Sequence, residues 1–458
     1  MPKRKTCFGI GLILWLISQT ASAQTQEELP PLPPGPLLLT SAASEQLNPD
    51  YWINRLPDPD KILKTAAELK TLNENTRAMV RDQIDIFQMP ATRSGRQIRE
   101  LLELQYNMIK GRILFGVGDS YIPKSLFEQE IKPVIQWGKV PDRIQIRWGA
   151  AVRPASVRAL PSNVKLLEEK GDIEFDQLQF TLIKLWAPVA VFHESSDGQW
   201  YFIQAPYTRG WVKSRDIALF PTRNKLQEYV KSNSFLTVTG ESISIYPGPD
   251  LQNPIQTPSM GTFFPIASQT DGAYVIWLPN RGSGGNVVFG KGYVDGKSDV
   301  SVGYLPFTQR HIIRQAFKML GARYGWGGTY NGRDCSSFTQ DVFLVFGVDM
   351  PRGSKEQGFT GTQLGWFEYK EDAGAKMEVL RSAVPGITIL RMPKHLMLYL
   401  GQVNGQHYVI HSTWAERYSM TSDAKNRINQ VVVSDLTLNG HSYLGSLFDR
   451  IIEMSEVN

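Results

Sequence analysis

The stretch 323–346, RYGWGGTYNGRDCSSFTQDVFLVF, leaves the chain little freedom in its local structure. Glycines come first, then Asp334, then Phe338, Val342, Val345 and Phe346 at i, i+4, i+7 and i+8. That spacing is one face of an amphipathic helix. Asp334 is a favoured N-cap, so Cys335 is expected at the first helical position. A thiol there meets unsatisfied backbone N–H groups and the positive end of the helix dipole, which favour the thiolate. The thiolate is the nucleophilic form, suited to attack on an amide carbonyl. A free cysteine is as often a small buried hydrophobe, and the local pattern alone leaves the two readings level.

The compartment tips the balance. Of two cysteines in the chain, Cys7 lies in an N-terminal segment with the marks of a signal peptide (1–23). A basic PKRK is followed by a short apolar core, Phe8 to Ser18, and by Ala21-Ser22-Ala23 at the expected cleavage site. Cys7 stands at the start of that core rather than its end, which argues against a lipoprotein. No other run reaches ~18 apolar residues, so no spanning helix is expected. The product should be periplasmic or secreted, where cysteines are usually paired. Cys335 then has no mate, and a lone thiol there is either buried or used. The formal charge of +5 includes Lys3, Arg4 and Lys5 of the leader. Without them too little positive charge remains to argue for nucleic acid.

A chain of 458 residues suggests three or four domains, and 39 Gly with 28 Pro lean toward turns and β structure. Residues 24–45, with PPLPPGP, read as a Pro-rich linker. Residues 46–140 read as a helical module, with helices at Thr76–Phe87, capped by Asn73 or Asn75, and at Ser94–Ile113. From Asp142 short alternating runs between turn signals predict two successive β-barrels, 141–222 and 223–305. Ile243-Ser244-Ile245-Tyr246 is one of the expected strands. Each block ends on a Gly-aromatic-Val step, Gly210-Trp211-Val212 and Gly292-Tyr293-Val294. Residues 306–458 combine the cysteine helix with β segments, an α+β arrangement in a multidomain chain.

Two of those segments carry histidines, HLMLYLG from His395 and QHYVIHS ending in His411-Ser412. Pairing His395 directly with His411 sets Gly401 against Gly405 around a three-residue loop, Gln402–Asn404. Opposed residues share a face within ~5.5 Å. They can therefore act as a base and its orienter beside a cysteine nucleophile. Zinc lacks a fourth ligand at a recognisable spacing, so no metal and no cofactor are expected. His193, His311, His407 and His441 read as structural or surface residues.

Tyr324-Gly325-Trp326-Gly327-Gly328, Asp334-Cys335-Ser336, Pro351-Arg352, HLMLYLG and Ile410-His411-Ser412 together resemble the signature of the NlpC-type papain-like cysteine peptidases. That family cleaves the bond between D-glutamate and the diamino acid of peptidoglycan stem peptides. The resemblance spans roughly 308–450. It implies Cys335 as nucleophile, His395 as base and His411 as third member. Tyr324 and Ser336 become substrate-binding or oxyanion candidates, with packing of the loop an equal role for Tyr324. Tyr207 either reaches the cleft from the first barrel or belongs to that barrel's core. The two β blocks resemble bacterial SH3 domains, and 46–140 resembles a helical segment that braces some of these enzymes. The implied partner is the peptidoglycan stem peptide, and a monomer is expected. One departure stands out: members acting on released peptides carry an acidic residue after Pro-Arg to bind a terminal amine, and Gly353 stands there. Polymeric wall is the expected substrate on that ground. Other classes remain: a non-catalytic wall-binding or scaffold protein, an N-acyl transferase, or an N-acetylmuramoyl-L-alanine amidase.

Overall fold

The computed structural model describes residues 32, 35–39, 42–370 and 372–458. The expected signal peptide and most of the 24–45 linker lie outside the described residues. No helix among the described residues is long and apolar enough to cross a membrane.

The region 46–140 shares its buried residues with two neighbours. A helix at Ala66–Met79 starts from Thr65, whose side chain and that of Glu68 close a reciprocal capping box. This replaces the helix expected at Thr76–Phe87. Asn73 lies inside the helix and spends its amide on a distant loop, donating to Gly347 O at 2.7 Å and accepting from Asp349 N at 2.8 Å. Beyond Val80 only one 3-10 turn forms, at Ile86–Gln88. Leu69 and Leu72 join the core of the C-terminal region with Ile312 and Phe343. The second helix, Gly95–Lys110, forms close to its expected bounds. Its buried stripe of Ile98, Leu102, Tyr106 and Ile109 meets Phe127 and Trp137 of the same region and falls in one cluster with Phe202 and Trp211 of the first β block. The N-terminal region therefore straps two neighbours together.

The first β block is a seven-stranded antiparallel sheet in the order 179–183, 155–158, 208–213, 200–205, 188–194, 147–151, 217–220. The second has five strands, ordered 287–295, 273–281, 263–270, 235–238, 300–302. The run at Ile243–Tyr246 makes only isolated bridges, to Gln256 and Tyr293 among others. Both Gly-aromatic-Val steps lie in strands, but a further short strand follows each, at 217–220 and 300–302.

The C-terminal region lays helices Gln309–Phe317 and Cys335–Leu344 against a six-stranded sheet ordered 362–366, 453–456, 388–392, 395–403, 406–417, 425–435. Phe338 and Val342 are fully buried against Leu396, Leu398 and Ile410. Each such side chain contributes about 1.5–3 kcal/mol, enough to hold the helix firmly against the inner strands 395–403 and 406–417. The hairpin register differs from the sequence expectation. Asn404 and Gly405, at φ +50° and +83°, form a two-residue turn closed by Val403 and Gln406. Asn-Gly is the strongest signal for such a turn. A bulge between Tyr399 and Gly401 then shifts the ladder by one. Extended from Leu398 paired with Ile410, this register faces His411 with Met397, so His395 is its diagonal neighbour.

Candidate active site

Cys335 is the first residue of its helix and 7% exposed. The cap that fixes it is buried and charged. Asp334 Oδ1 accepts from Ser337 N, and Oδ2 accepts from Gly327 N, both at 2.9 Å. Oδ2 is also paired with Arg352. Burial opposes charge on Asp334, yet Arg352 and these backbone donors hold its carboxyl below the usual range. Arg352 is fully committed: it also donates to Ser336 Oγ at 2.8 Å and, across to the first β block, to Thr181 Oγ1 at 2.7 Å. Ser336 in turn donates to Asp334 at 3.2 Å. Its hydroxyl thus braces the loop. Gln357, invisible to the sequence reading, completes the frame by donating to Ser336 O at 2.7 Å and Pro351 O at 2.8 Å.

The thiol itself departs from expectation. Burial pushes its pKa up to about 12, and the Asp334 charge adds to this. Arg352 and the backbone N–H groups of Leu396 and Ser336 pull the other way without prevailing. Desolvation therefore outweighs the helix dipole. A thiolate needs an immediate proton acceptor.

Cys335 shares a buried cluster with Leu396, at the start of the histidine strand. The adjacent residue, His395, reaches diagonally across the hairpin, and its Nε2 lies 2.7 Å from His411 Nδ1. His411 is fully buried, and its Nε2 lies 3.0 Å from Ser434 Oγ on the next strand. Burial holds His411 down at about 3, and burial, with the cost of a second positive ring beside His411 and the charge of Arg450, holds His395 well below its ordinary value. Both rings are thus neutral near pH 7. The structure brings the two imidazoles together despite the altered register, and it adds Ser434, for which the sequence carries no signal.

Tyr324 is 9% exposed, and burial, Asp334 and Cys335 raise its hydroxyl well above the ordinary value. Its ring meets Phe175 of the first β block at 6.1 Å, and Phe175 also contacts Trp326 and Trp414. The neighbouring Glu174 accepts from Trp414 Nε1 at 2.6 Å. Gly327 and Gly328, at φ +59° and +81°, press edge-on against this block, where a Cβ would meet Gln179 and Leu182 at 2.7 Å. The β block is thus a wall of the site. Tyr207 packs against the core of the first block, within electrostatic reach of Arg352, and lines a cavity of about 740 Å³ together with Gln340, Leu344 and Met350. Cys335, His395 and His411 do not line that cavity. Among the described residues no group of three or more His, Cys, Asp or Glu could hold a metal ion. The Glu356 side chain folds over Gly353, with Oε2 at 2.0 Å from where a Cβ would lie. A carboxylate therefore lies against the Gly353 backbone.

Comparison with known proteins agrees with this architecture. Residues 321–436 match the NlpC/P60 family model, and residues 165–213 match the model of the SH3 domain, SH3b1 type. The chain is 28% identical over 212 residues to a gamma-D-glutamyl-L-lysine dipeptidyl-peptidase of Bacillus cereus, covering 45% of this chain and 57% of that one. It is 31% identical over 90 residues to a probable endopeptidase NlpC homolog of Haemophilus influenzae, covering 19% and 42%. The chain thus spans about half the length of these relatives. A solved structure of an NlpC/P60 endopeptidase from Photobacterium damselae subsp. piscicida superposes with a TM-score of 0.71, over 94% of this chain and 98% of that one. At 17% identity that is a likeness of fold. The chain carries an NlpC/P60 domain preceded by an SH3 domain of the SH3b1 type.

Proposed function

We propose that the chain is a cysteine peptidase of bacterial peptidoglycan that cleaves the γ-D-glutamyl–diamino acid bond of stem peptides, exported to the periplasm or cell exterior. The observation that carries the reading is the His395–His411 contact of 2.7 Å on the strand whose next residue, Leu396, shares a buried cluster with Cys335. With Nε2 of His395 turned to His411, Nδ1 is the nitrogen left to take the thiol proton. A thiol raised to about 12 beside a neutral imidazole transfers that proton as it attacks the γ-glutamyl carbonyl. The Cys335 backbone N–H and the Tyr324 hydroxyl steady the developing oxyanion. The imidazolium then donates to the leaving amine, and water, deprotonated by the same ring, hydrolyses the thioester. His411, kept neutral by burial, accepts from His395 Nε2–H throughout.

In this reading the five-stranded block at 223–305 is a second SH3-like barrel, and 46–140 acts as the brace that ties barrels to peptidase. Purified sacculi digested with the protein should release fragments whose new amine lies on the diamino acid. A new amine on L-alanine instead identifies an amidase and rejects the peptidase. Cys335→Ala should give no product while melting as the parent does.

A further inference from the structure

A second arginine near the histidine strand has no carboxylate partner among the described residues. Arg450 closes the short helix Leu447–Arg450 and is 9% exposed. The chain then enters strand 453–456, where Ile452 N donates to Arg391 O and Glu453 pairs with Arg391. Arg391 and Met392 lead directly into the turn whose far side is His395, paired with Met392. Arg450 therefore sits one strand from the proposed base, and its charge is felt there, where it disfavours a protonated imidazole. Its Nε is buried with no acceptor, and among the described residues no carboxylate forms an ion pair with it. Its neighbours are the Tyr369 and Tyr443 hydroxyls and a like charge, Arg417. Arg417 is itself paired with Asp423. Tyr369 and Tyr443 are 40% and 43% exposed, so this corner opens to solvent.

A buried guanidinium without a counter-charge is costly and is retained where a ligand supplies the missing partner. The planar fork, with its free Nε–H, fits a carboxylate side-on. Chemistry decides which part of the substrate arrives. A general acid stands beside the leaving group, so the residue that departs with the new amine lies on the His395 side of the sulfur. The opposite side is walled by Tyr324, Phe175 and Glu174.

Resting on the reading above, we propose that Arg450 is a specificity residue that binds a carboxylate of the leaving diamino acid. Two sources carry that group: the side-chain carboxylate of diaminopimelate, which lysine lacks, and the free α-carboxylate of a tripeptide.

Tetrapeptides L-Ala-γ-D-Glu-X-D-Ala, with X as meso-diaminopimelate, its side-chain amide, or L-lysine, isolate the first source. The corresponding tripeptides add the second. The parent should favour the carboxylate-bearing member of a pair at least tenfold in kcat/KM, and Arg450→Gln should reduce that ratio to within threefold. Loss of preference in tetrapeptides identifies the side-chain carboxylate, and loss only between tripeptides and tetrapeptides identifies the α-carboxylate. A ratio near one in the parent for both series, or one retained by Arg450→Gln, overturns the proposal. Melting separates a binding role from a structural one. Removing an unpaired buried charge should leave the midpoint level or higher, and a fall of more than about 5 °C also overturns it. If the parent cleaves no peptide, the peptidase reading fails by itself. Calorimetry of the diaminopimelate tripeptide with Cys335→Ala protein, with and without Arg450→Gln, then decides on Arg450. Equal affinity for the two proteins rejects it.

Discussion

Arg352 and Arg450 are both largely buried on either flank of the proposed machinery, and they are held in opposite ways. Arg352 gives every arm of its guanidinium to the protein, to Asp334, Ser336 and Thr181. Through it the first β block grips the loop that starts the cysteine helix. Arg450 has a tyrosine hydroxyl beside it and an Nε facing nothing. The cysteine flank is thus finished as folded, and the histidine flank is left incomplete. The difference separates scaffold from function: satisfied buried charge specifies geometry, and unsatisfied buried charge waits for something outside the chain. Replacements on the two flanks should therefore fail differently, one in stability and the other in turnover.

The sharpest separation should come from His395→Ala, which removes base and acid together. Turnover of stem peptide should fall ~10³–10⁴-fold with the melting midpoint nearly unchanged. His411→Ala should lose less, ~10–100-fold, because it orients rather than transfers. Substantial turnover by the His395→Ala protein would remove this residue from the mechanism. On the other flank, Arg352→Met strands a buried Asp334 carboxylate. Denaturant unfolding should show a loss of about 3–5 kcal/mol. A midpoint equal to the parent's would mean that the Asp334 cap does not depend on its partner.

The two flanks also differ in how far the sequence reveals them. Asp334 as cap and Cys335 at the helix start follow from neighbouring residues, because capping is local. The Thr65-x-x-Glu68 capping box is equally local, and Asn73 and Asn75, good N-cap residues by type, lie inside the helix that it starts. The histidine pair was legible as a pair but not in its register. Weighting glycines at both ends of a loop over the Asn404-Gly405 turn hid the bulge at Leu400, and the side-chain period of two let a diagonal contact imitate a direct one. What sequence could not supply is what arrives from far along the chain. Thr181 on Arg352 and Phe175 on Tyr324 depend on how one sheet docks on another domain, and no local pattern encodes that. The same holds for the thiol, whose burial reverses the tendency set by its own helix.

A smaller effect tests how deeply the histidine flank is buried. His411 is held at about 3, against an ordinary value near 6.5. As pH falls below 6.5 the unfolded chain takes up a proton that the folded chain refuses. Stability is therefore complete above 6.5 and declines below it, by about 1.4 kcal/mol per pH unit for this ring. Between pH 6.5 and 5 the parent should lose about 2 kcal/mol more than His411→Asn in denaturant unfolding. Parallel losses would mean that the ring is solvated.

The least effect, and the most specific, belongs to Ser434. Thiol-to-imidazole transfer requires His395 Nδ1 unprotonated, so its Nε2 carries the hydrogen and points it at His411 Nδ1. His411 must then be protonated on Nε2, the atom 3.0 Å from Ser434 Oγ. An acceptor at that point selects this tautomer; without one, the two neutral forms of imidazole lie closer in energy and part of the population turns a second N–H toward His395. Ser434→Ala should lower kcat about three- to tenfold with KM little changed, roughly the worth of one hydrogen bond. Nitrogen NMR shifts of His411 should move from a single Nε2-protonated form toward a mixture. Ser434→Thr, which keeps the hydroxyl, should restore both. A fall in kcat with the tautomer unmoved would assign Ser434 to packing, and the relay would then end at His411.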